Sequence, residues 1–318
     1  MFYLADDRQE KGRELRTCVV ETLQDLMSKD DKVVALEADL GGASGFTKIQ
    51  KSNPDRFVQC GIAEANMIGV SAGLSITGFK PFVHTFGPFA TRRVFDQLYL
   101  SGAYAGNTIN IYGSDPGFTV GANGGTHTTW EDVALMREVP GAVVCDAADD
   151  VQMEWILTEF SKMEGIHYVR GSRKDVRNVY KKGSSFTIGK GNILKEGNEV
   201  LILAAGQLVS DALDCAEALE AEGHSVEVID MFTIKPLDKE LILKEAKDKK
   251  LIVTIENHSI YGGLGSAAAE VIAEEAISVP LKRIGVDEKF GQVGTADYLQ
   301  EAFGLTAAQM KETIKECL

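Results

Sequence analysis

The chain has 318 residues, with 33 Lys+Arg against 47 Asp+Glu for a net charge of −14, and 44% of its residues are hydrophobic. This is the composition of a globular protein of about two domains, and it excludes fibrous, low-complexity and disordered classes. The acid excess argues against sequence-independent nucleic-acid binding, which needs clustered Lys and Arg to release counterions.

The start, Met1-Phe2-Tyr3-Leu4 followed by Asp6-Asp7, lacks the basic flank and apolar core of a signal peptide, and no apolar run approaches the roughly 18 residues of a bilayer span. The odd set of Cys18, Cys60, Cys145, Cys215 and Cys317 contains no Cys-x-x-Cys, so neither a disulfide framework nor a metal site is signalled. A cytoplasmic setting is expected, with no membrane and no nucleic acid among the partners.

In chain order, β-branched runs at 33–36, 81–84, 108–112, 142–145, 166–169, 200–203 and 251–255 read as strands. Helical periodicity fills the intervals at 15–26, 63–76, 92–104, 150–160, 212–221 and 267–276, and a closing helix at 305–318 has Thr306 as its N-cap. This alternation predicts an α/β fold of two consecutive domains, each a mainly parallel sheet flanked by helices. Residues 171–198 are rich in Gly, Ser and Lys and poor in apolar positions. They are expected to connect a first domain, 1–185, to a second, 186–318.

Ligands of open α/β sheets bind beyond the carboxyl ends of strands, which directs attention to four loops. In the first, Glu64 opens a helix whose next positions, Ile68 to Leu74, are small or apolar. A carboxylate there is poorly solvated; it either carries chemistry or simply complements the helix dipole. In the second, Thr85-Phe86-Gly87-Pro88-Phe89 precedes Arg92-Arg93, giving either an aromatic platform beside an anion site or ordinary core packing. The third, Gly121-Ala122-Asn123-Gly124-Gly125-Thr126-His127, has no Gly-Lys-Ser/Thr ending and is not a P-loop. Its His127 suits hydrogen bonding or proton transfer, or the loop is a plain surface turn. The fourth is a basic island of Arg170, Arg173, Lys174 and Arg177, suited to a phosphate or merely solvated.

Taken together and in order, Ala38-Asp39-Leu40, Gly61-Ile62-Ala63-Glu64-Ala65-Asn66-Met67, Thr85-Phe86-x-x-Phe89, Gly124-Gly125-Thr126-His127 and the stretch Glu131 to Arg137 resemble the transketolase family. Ile255-Glu256-Asn257-His258 and Gly262-Gly263-Leu264-Gly265-Ser266 extend the resemblance into the second half, to the terminal domains of transketolases and deoxyxylulose-phosphate synthases. The resemblance implies a pyrimidine-binding domain followed by a transketolase C-terminal domain, with thiamine diphosphate as cofactor. It gives Glu64 the role of hydrogen-bonding the aminopyrimidine ring nitrogen, which primes the cofactor for proton loss. Phe86 matches the aromatic stacked on that ring, Phe89 lines the same pocket, and Asp39 matches a residue near the cofactor. His127 matches a histidine at the reacting end of the donor sugar. Arg16 and Arg170 match sugar-phosphate ligands, with Ser44 assisting and Arg92 beside them.

Three departures bear on the donor: Asn123 stands where an Asp is usual, Tyr112-Gly113-Ser114 lacks an expected His, and Cys145-Asp146 falls where an Arg is usual. Members of the family hold the diphosphate through Mg2+ or Ca2+ with a Gly-Asp-Gly segment and a downstream Asn, and no Gly-Asp-Gly occurs here. The resemblance is therefore to the C-terminal subunit of a split transketolase, transferring a two-carbon ketol unit between sugar phosphates of the pentose-phosphate type. The metal and diphosphate would be held by a separate N-terminal subunit, around a homodimeric core that makes a heterotetramer. The competing readings are the beta subunit of a 2-oxoacid dehydrogenase's decarboxylating component, a non-catalytic assembly subunit, and an unrelated α/β binding module.

Overall fold

The computed structural model describes residues 1–318. Twelve strands follow one another along the chain. They are β1 (Val33–Glu37), β2 (Phe57–Gln59), β3 (Lys80–Phe86), β4 (Ile109–Ser114), β5 (Val143–Asp146), β6 (Ile166–Gly171), β7 (Asn192–Lys195), β8 (Val200–Ala204), β9 (Val226–Asp230), β10 (Thr233–Lys235), β11 (Leu251–Ser259) and β12 (Leu281–Val286). They form a seven-stranded sheet, β10-β5-β6-β4-β3-β1-β2, and a five-stranded sheet, β12-β11-β8-β9-β7. All pairings are parallel except β10 on β5 and β7 on β9. Helices pack on both sheets, as a parallel arrangement requires. The expected fold class is what is found.

β1, β4, β5, β6, β8 and β9 are buried along their whole length. Most of them read as continuous apolar runs for that reason. The strands missing from the sequence reading are mostly edges: β2, β7 and β12 are only partly covered, so their alternation is diluted by polar residues. β9 is central yet was hidden because Glu227 and Asp230 interrupt it. Inside the fold Glu227 pairs with Lys249, and Asp230 accepts hydrogen bonds from Tyr180 and Gln152.

Two expectations change. Residues 92–104 are not one α-helix but a 3-10 turn (Arg92–Val94), a short α-turn (Phe95–Gln97) and a π-helix (Leu98–Tyr104). Widening the turns keeps Val94, Leu98 and Gly102 against the sheet. The stretch 171–198 leads from the end of β6 into the second sheet, whose β7 it contains, and it is not a solvated tether. Val176, Val179, Tyr180 and Phe186 in it are buried, and Phe186 packs edge-on against Tyr180 and Trp155. Thr306 caps the last helix, Ala307–Lys315, in a capping box with Gln309. No helix is long and apolar enough to cross a membrane.

Because β1, β2, β3, β4 and β6 run parallel, their carboxyl ends open on one edge of the first sheet. That edge carries the loops after Glu37, Gln59, Phe86, Ser114 and Gly171.

Candidate active site

Glu64 is the first residue of the helix Glu64–Ile76 and is only 4% exposed. The helix buries Met67, Ile68, Ser71 and Ala72 against the sheet, which draws the carboxylate inward with them. Its one partner is Arg93, whose Nη1 donates to Glu64 Oε1 at 2.7 Å while Oε2 has none. The Arg93 guanidinium lies 3.8 Å over the ring of Phe89. Phe89 sits in the short turn Gly87–Ala90 immediately after β3, whose last residue is Phe86.

His127 completes an aromatic group. Its ring centroid is 5.5 Å from Phe86 and 5.1 Å from Phe89, both edge-on, and the two phenylalanines are 6.2 Å apart. Its Nδ1 lies 2.9 Å from Thr126 Oγ1. Arg173 closes the far side, its guanidinium 4.6 Å over Phe86. Asp115, at the end of β4, holds Arg173 in place by accepting from both its side chain and its backbone N–H. Burial pushes the Asp115 carboxyl up, and Arg173 opposes that shift. A buried carboxylate with one free oxygen, two aromatic faces and an imidazole thus meet between two arginines. This set can take a flat heteroaromatic ring with a protonated nitrogen and an anionic group beside it.

Asp39 and Ser44 lie in the segment after β1, which Arg16 reaches from the helix Leu15–Lys29. Asp39 is exposed with φ 60°, and its backbone N–H donates to Gln59 Oε1 at 2.9 Å. Arg16 is bound by Glu14 at 2.8 Å and donates to the Ala43 carbonyl at 3.3 Å. Ser44 is fully buried; its hydroxyl donates to the Leu40 carbonyl and accepts from the Phe46 N–H. It therefore shapes its own loop and offers no free hydroxyl to an outside ligand. No hydrogen bond or ion pair joins Asp39, Ser44 or Arg16 to Phe86 or His127. Asn123 is exposed at the end of the 3-10 turn Gly117–Asn123. Arg92 points to the surface and pairs with Glu131 at 2.8 Å, while its neighbour Arg93 turns in to Glu64.

Arg170, expected at a sugar phosphate, is in the interior. It is fully buried, with Nε 2.8 Å from Asp132, Nη1 3.1 Å from Asp146 and Nη2 donating to the Asn257 carbonyl at 3.0 Å. The contact to Asp132 is an ion pair rather than an aligned hydrogen bond. The physical reason is a strand end: the apolar run stops at Val169, but the ladder continues to Gly171, so Arg170 is a strand residue and Arg173 is the first arginine of the loop. The histidine missing at Tyr112-Gly113-Ser114 has a counterpart one strand over. His84 on β3 is fully buried, held down to about 3 by desolvation, with Nε2 3.0 Å from Ser114 Oγ. No group of three or more His, Cys, Asp or Glu side chains is arranged to hold a metal ion.

Known proteins are similar to this chain over most of its length. The transketolase pyrimidine-binding domain matches residues 11–179, and the transketolase C-terminal domain matches residues 189–310. A 6-deoxy-6-sulfo-D-fructose transketolase subunit, SqwH, of Clostridium sp. strain MSTE9 is 45% identical over 95% of this chain and 94% of its own. A putative transketolase C-terminal section of Methanocaldococcus jannaschii is 39% identical over 93% of each. A solved structure described as a split gene transketolase, inactive beta4 tetramer, superposes with a TM-score of 0.87 at 37% identity, over 96% of this chain and 98% of that one. The chain belongs to the transketolase family, a thiamine-diphosphate-dependent group, and carries its pyrimidine-binding and C-terminal domains.

Proposed function

We propose that this chain is the C-terminal subunit of a split transketolase, transferring a two-carbon ketol unit from a ketose phosphate to an aldose phosphate together with a separate subunit that holds the diphosphate and its Mg2+ or Ca2+. The observation that carries the reading is the meeting of Glu64, Phe86, Phe89 and His127 at one sheet edge. When bound, thiamine diphosphate supplies the nucleophilic carbon and the electron sink for breaking a ketose carbon–carbon bond. Glu64 holds a proton at the aminopyrimidine ring nitrogen through its free Oε2, with Oε1 fixed by Arg93. Phe86 and Phe89 wall the ring and exclude water. His127 donates to an oxygen at the reacting end of the sugar.

The sugar phosphate falls to Arg173 and Arg16, with Lys174 near Glu14, in place of the buried Arg170. The domains are proposed as 1–185 and 186–318, and the assembly as a homodimeric core flanked by two partner chains. A second reading concerns the donor. The relative named for 6-deoxy-6-sulfo-D-fructose is 45% identical, so a sulfonate in place of the phosphate is the alternative anion for the same arginines.

The test is co-expression with a partner chain that contains the Gly-Asp-Gly segment. Cofactor-dependent transfer to an aldose phosphate is then assayed from fructose 6-phosphate, xylulose 5-phosphate and 6-deoxy-6-sulfo-fructose. A stable, cofactor-loaded complex inactive with all three donors rejects the proposal.

A further inference from the structure

His127 is carried by a loop of the first domain, but what stands behind that loop belongs to the second. Gly121 (φ 59°) and Gly124 (φ 74°) turn the backbone, and the His127 and Thr128 N–H groups both donate to the Gly124 carbonyl. These bonds make a local turn and do not anchor it to the sheet. After β12 the chain runs through residues 289–295 into the helix Ala296–Ala302, and this strap lies flat on the loop. A Cβ on Gly125 would sit 2.6 Å from the Gly291 carbonyl oxygen, and one on Gly124 would sit 2.6 Å from Val293 Cγ2. In return, a Cβ on Gly291 would meet Thr128 Oγ1 at 2.3 Å, its Cβ at 2.5 Å and its Cγ2 at 2.9 Å. No hydrogen bond joins the strap to the loop. Their contact is one of shape alone, close because a glycine stands on at least one side of each contact.

The strap itself is fixed. Thr295 caps the helix that follows it, Leu299 of that helix is buried, and Phe303 beyond it packs at 4.9 Å on Trp130, which lies two residues past Thr128. Loop and strap are therefore clamped at one end and touch through their glycines at the other.

We propose that the 289–295 strap is a positioning element for His127, and that Gly291 sets how close the loop brings the imidazole to Phe86 and Phe89. The proposal rests on the reading of His127 as a donor-sugar ligand. It gives the second domain a part in the chemistry of the first without contributing a reacting group.

Gly291→Ala forces loop and strap apart, and Thr128→Gly removes all three atoms that the new methyl would meet. The expected result for Gly291→Ala in the reconstituted complex is a fall of roughly tenfold or more in kcat, as for other displaced catalytic groups, with cofactor affinity unchanged. The double variant Gly291→Ala/Thr128→Gly should recover most of that loss. In the full chain labelled at histidine, the His127 imidazole resonances, assigned with His127→Gln, should shift in Gly291→Ala and return in the double variant. Unmoved His127 resonances, or a shift that Thr128→Gly does not reverse, overturn the proposal. The resonance measurement needs no turnover, so it stands apart from the donor assay: reversible shifts with no transfer from any donor would keep the strap and reject the transketolase reading.

Discussion

Replacing Arg170 by Met should remove a large share of the stability of this chain. The side chain is fully buried and lies between Asp132 and Asp146, with a third contact to the Asn257 carbonyl on β11. Met fills much of the volume but leaves two carboxylates in the interior without a cation. Removing one partner of a buried ion pair costs about 3–5 kcal/mol, against roughly 5–15 kcal/mol for the whole fold. The pH dependence tests the electrostatic origin. Burial already pushes the Asp146 carboxyl up to about 6 with Arg170 beside it. Without Arg170 it rises further, so the variant binds a proton over a wider range than the unfolded chain. The penalty of the substitution should therefore be greatest at pH 8 and shrink toward pH 5. Urea unfolding followed by the fluorescence of Trp130 and Trp155 measures it. The triple variant Asp132→Asn/Asp146→Asn/Arg170→Met removes the stranded charges and should recover part of the loss. A single variant within about 1 kcal/mol of the parent at pH 8 would falsify the reasoning, and so would a penalty that grows on acidification.

Three further outcomes are expected. Glu64→Gln in the reconstituted complex can hydrogen-bond but cannot hold and pass the proton, so turnover should fall by roughly 10²–10⁴; near-parental turnover would remove Glu64 from the chemistry. Arg173→Met should raise KM for a phosphorylated donor well above any change for its unphosphorylated analogue, and equal changes for the two would place Arg173 away from the phosphate. The protons held by Asp230 and Glu256 should contribute stability at pH 6 that is lost by pH 8. Asp230 and Glu256 are pushed up to about 7 by burial, so the folded chain holds protons that the unfolded chain has released, and this contribution falls as pH rises through that range. Buried His84, His167 and His258, held down to about 3 to 4, act oppositely only below their unfolded value of about 6.5. Asp230→Asn with Glu256→Gln should remove that loss, so that the urea midpoint rises from pH 6 to 8 relative to the parent, and a profile parallel to the parent's would refute the assignment.

The site was legible where it is local in sequence. Gly61 to Met67, Phe86 to Phe89 and Gly124 to His127 each place their candidate side chain by a turn that the same few residues create. It was illegible where partners come from distant segments. The hydrogen bond from Arg93 to Glu64 joins two helical turns, and Arg170 joins β6 to the helix Asp132–Glu138, to β5 and to β11. The error over Arg170 was one of register. Burial of a charged residue inside a strand breaks the apolar run that marks the strand's end, so the run stops before the strand does. The same effect hid β9 behind Glu227 and Asp230. Ser44 was misplaced for another reason: a small hydroxyl in a loop satisfies its own backbone as readily as it meets a ligand.

β10 belongs by sequence to the second half and by hydrogen bonding to the first. Thr233 and Lys235 pair with Cys145 and Val144, covering the outer side of β5. A fragment ending near residue 185 would leave that side as a bare edge, a template for pairing with other chains. It would also take from Arg170 the carbonyl of Asn257. The two halves are thus not interchangeable parts: gene fission or recombination at their junction would produce a sticky fragment.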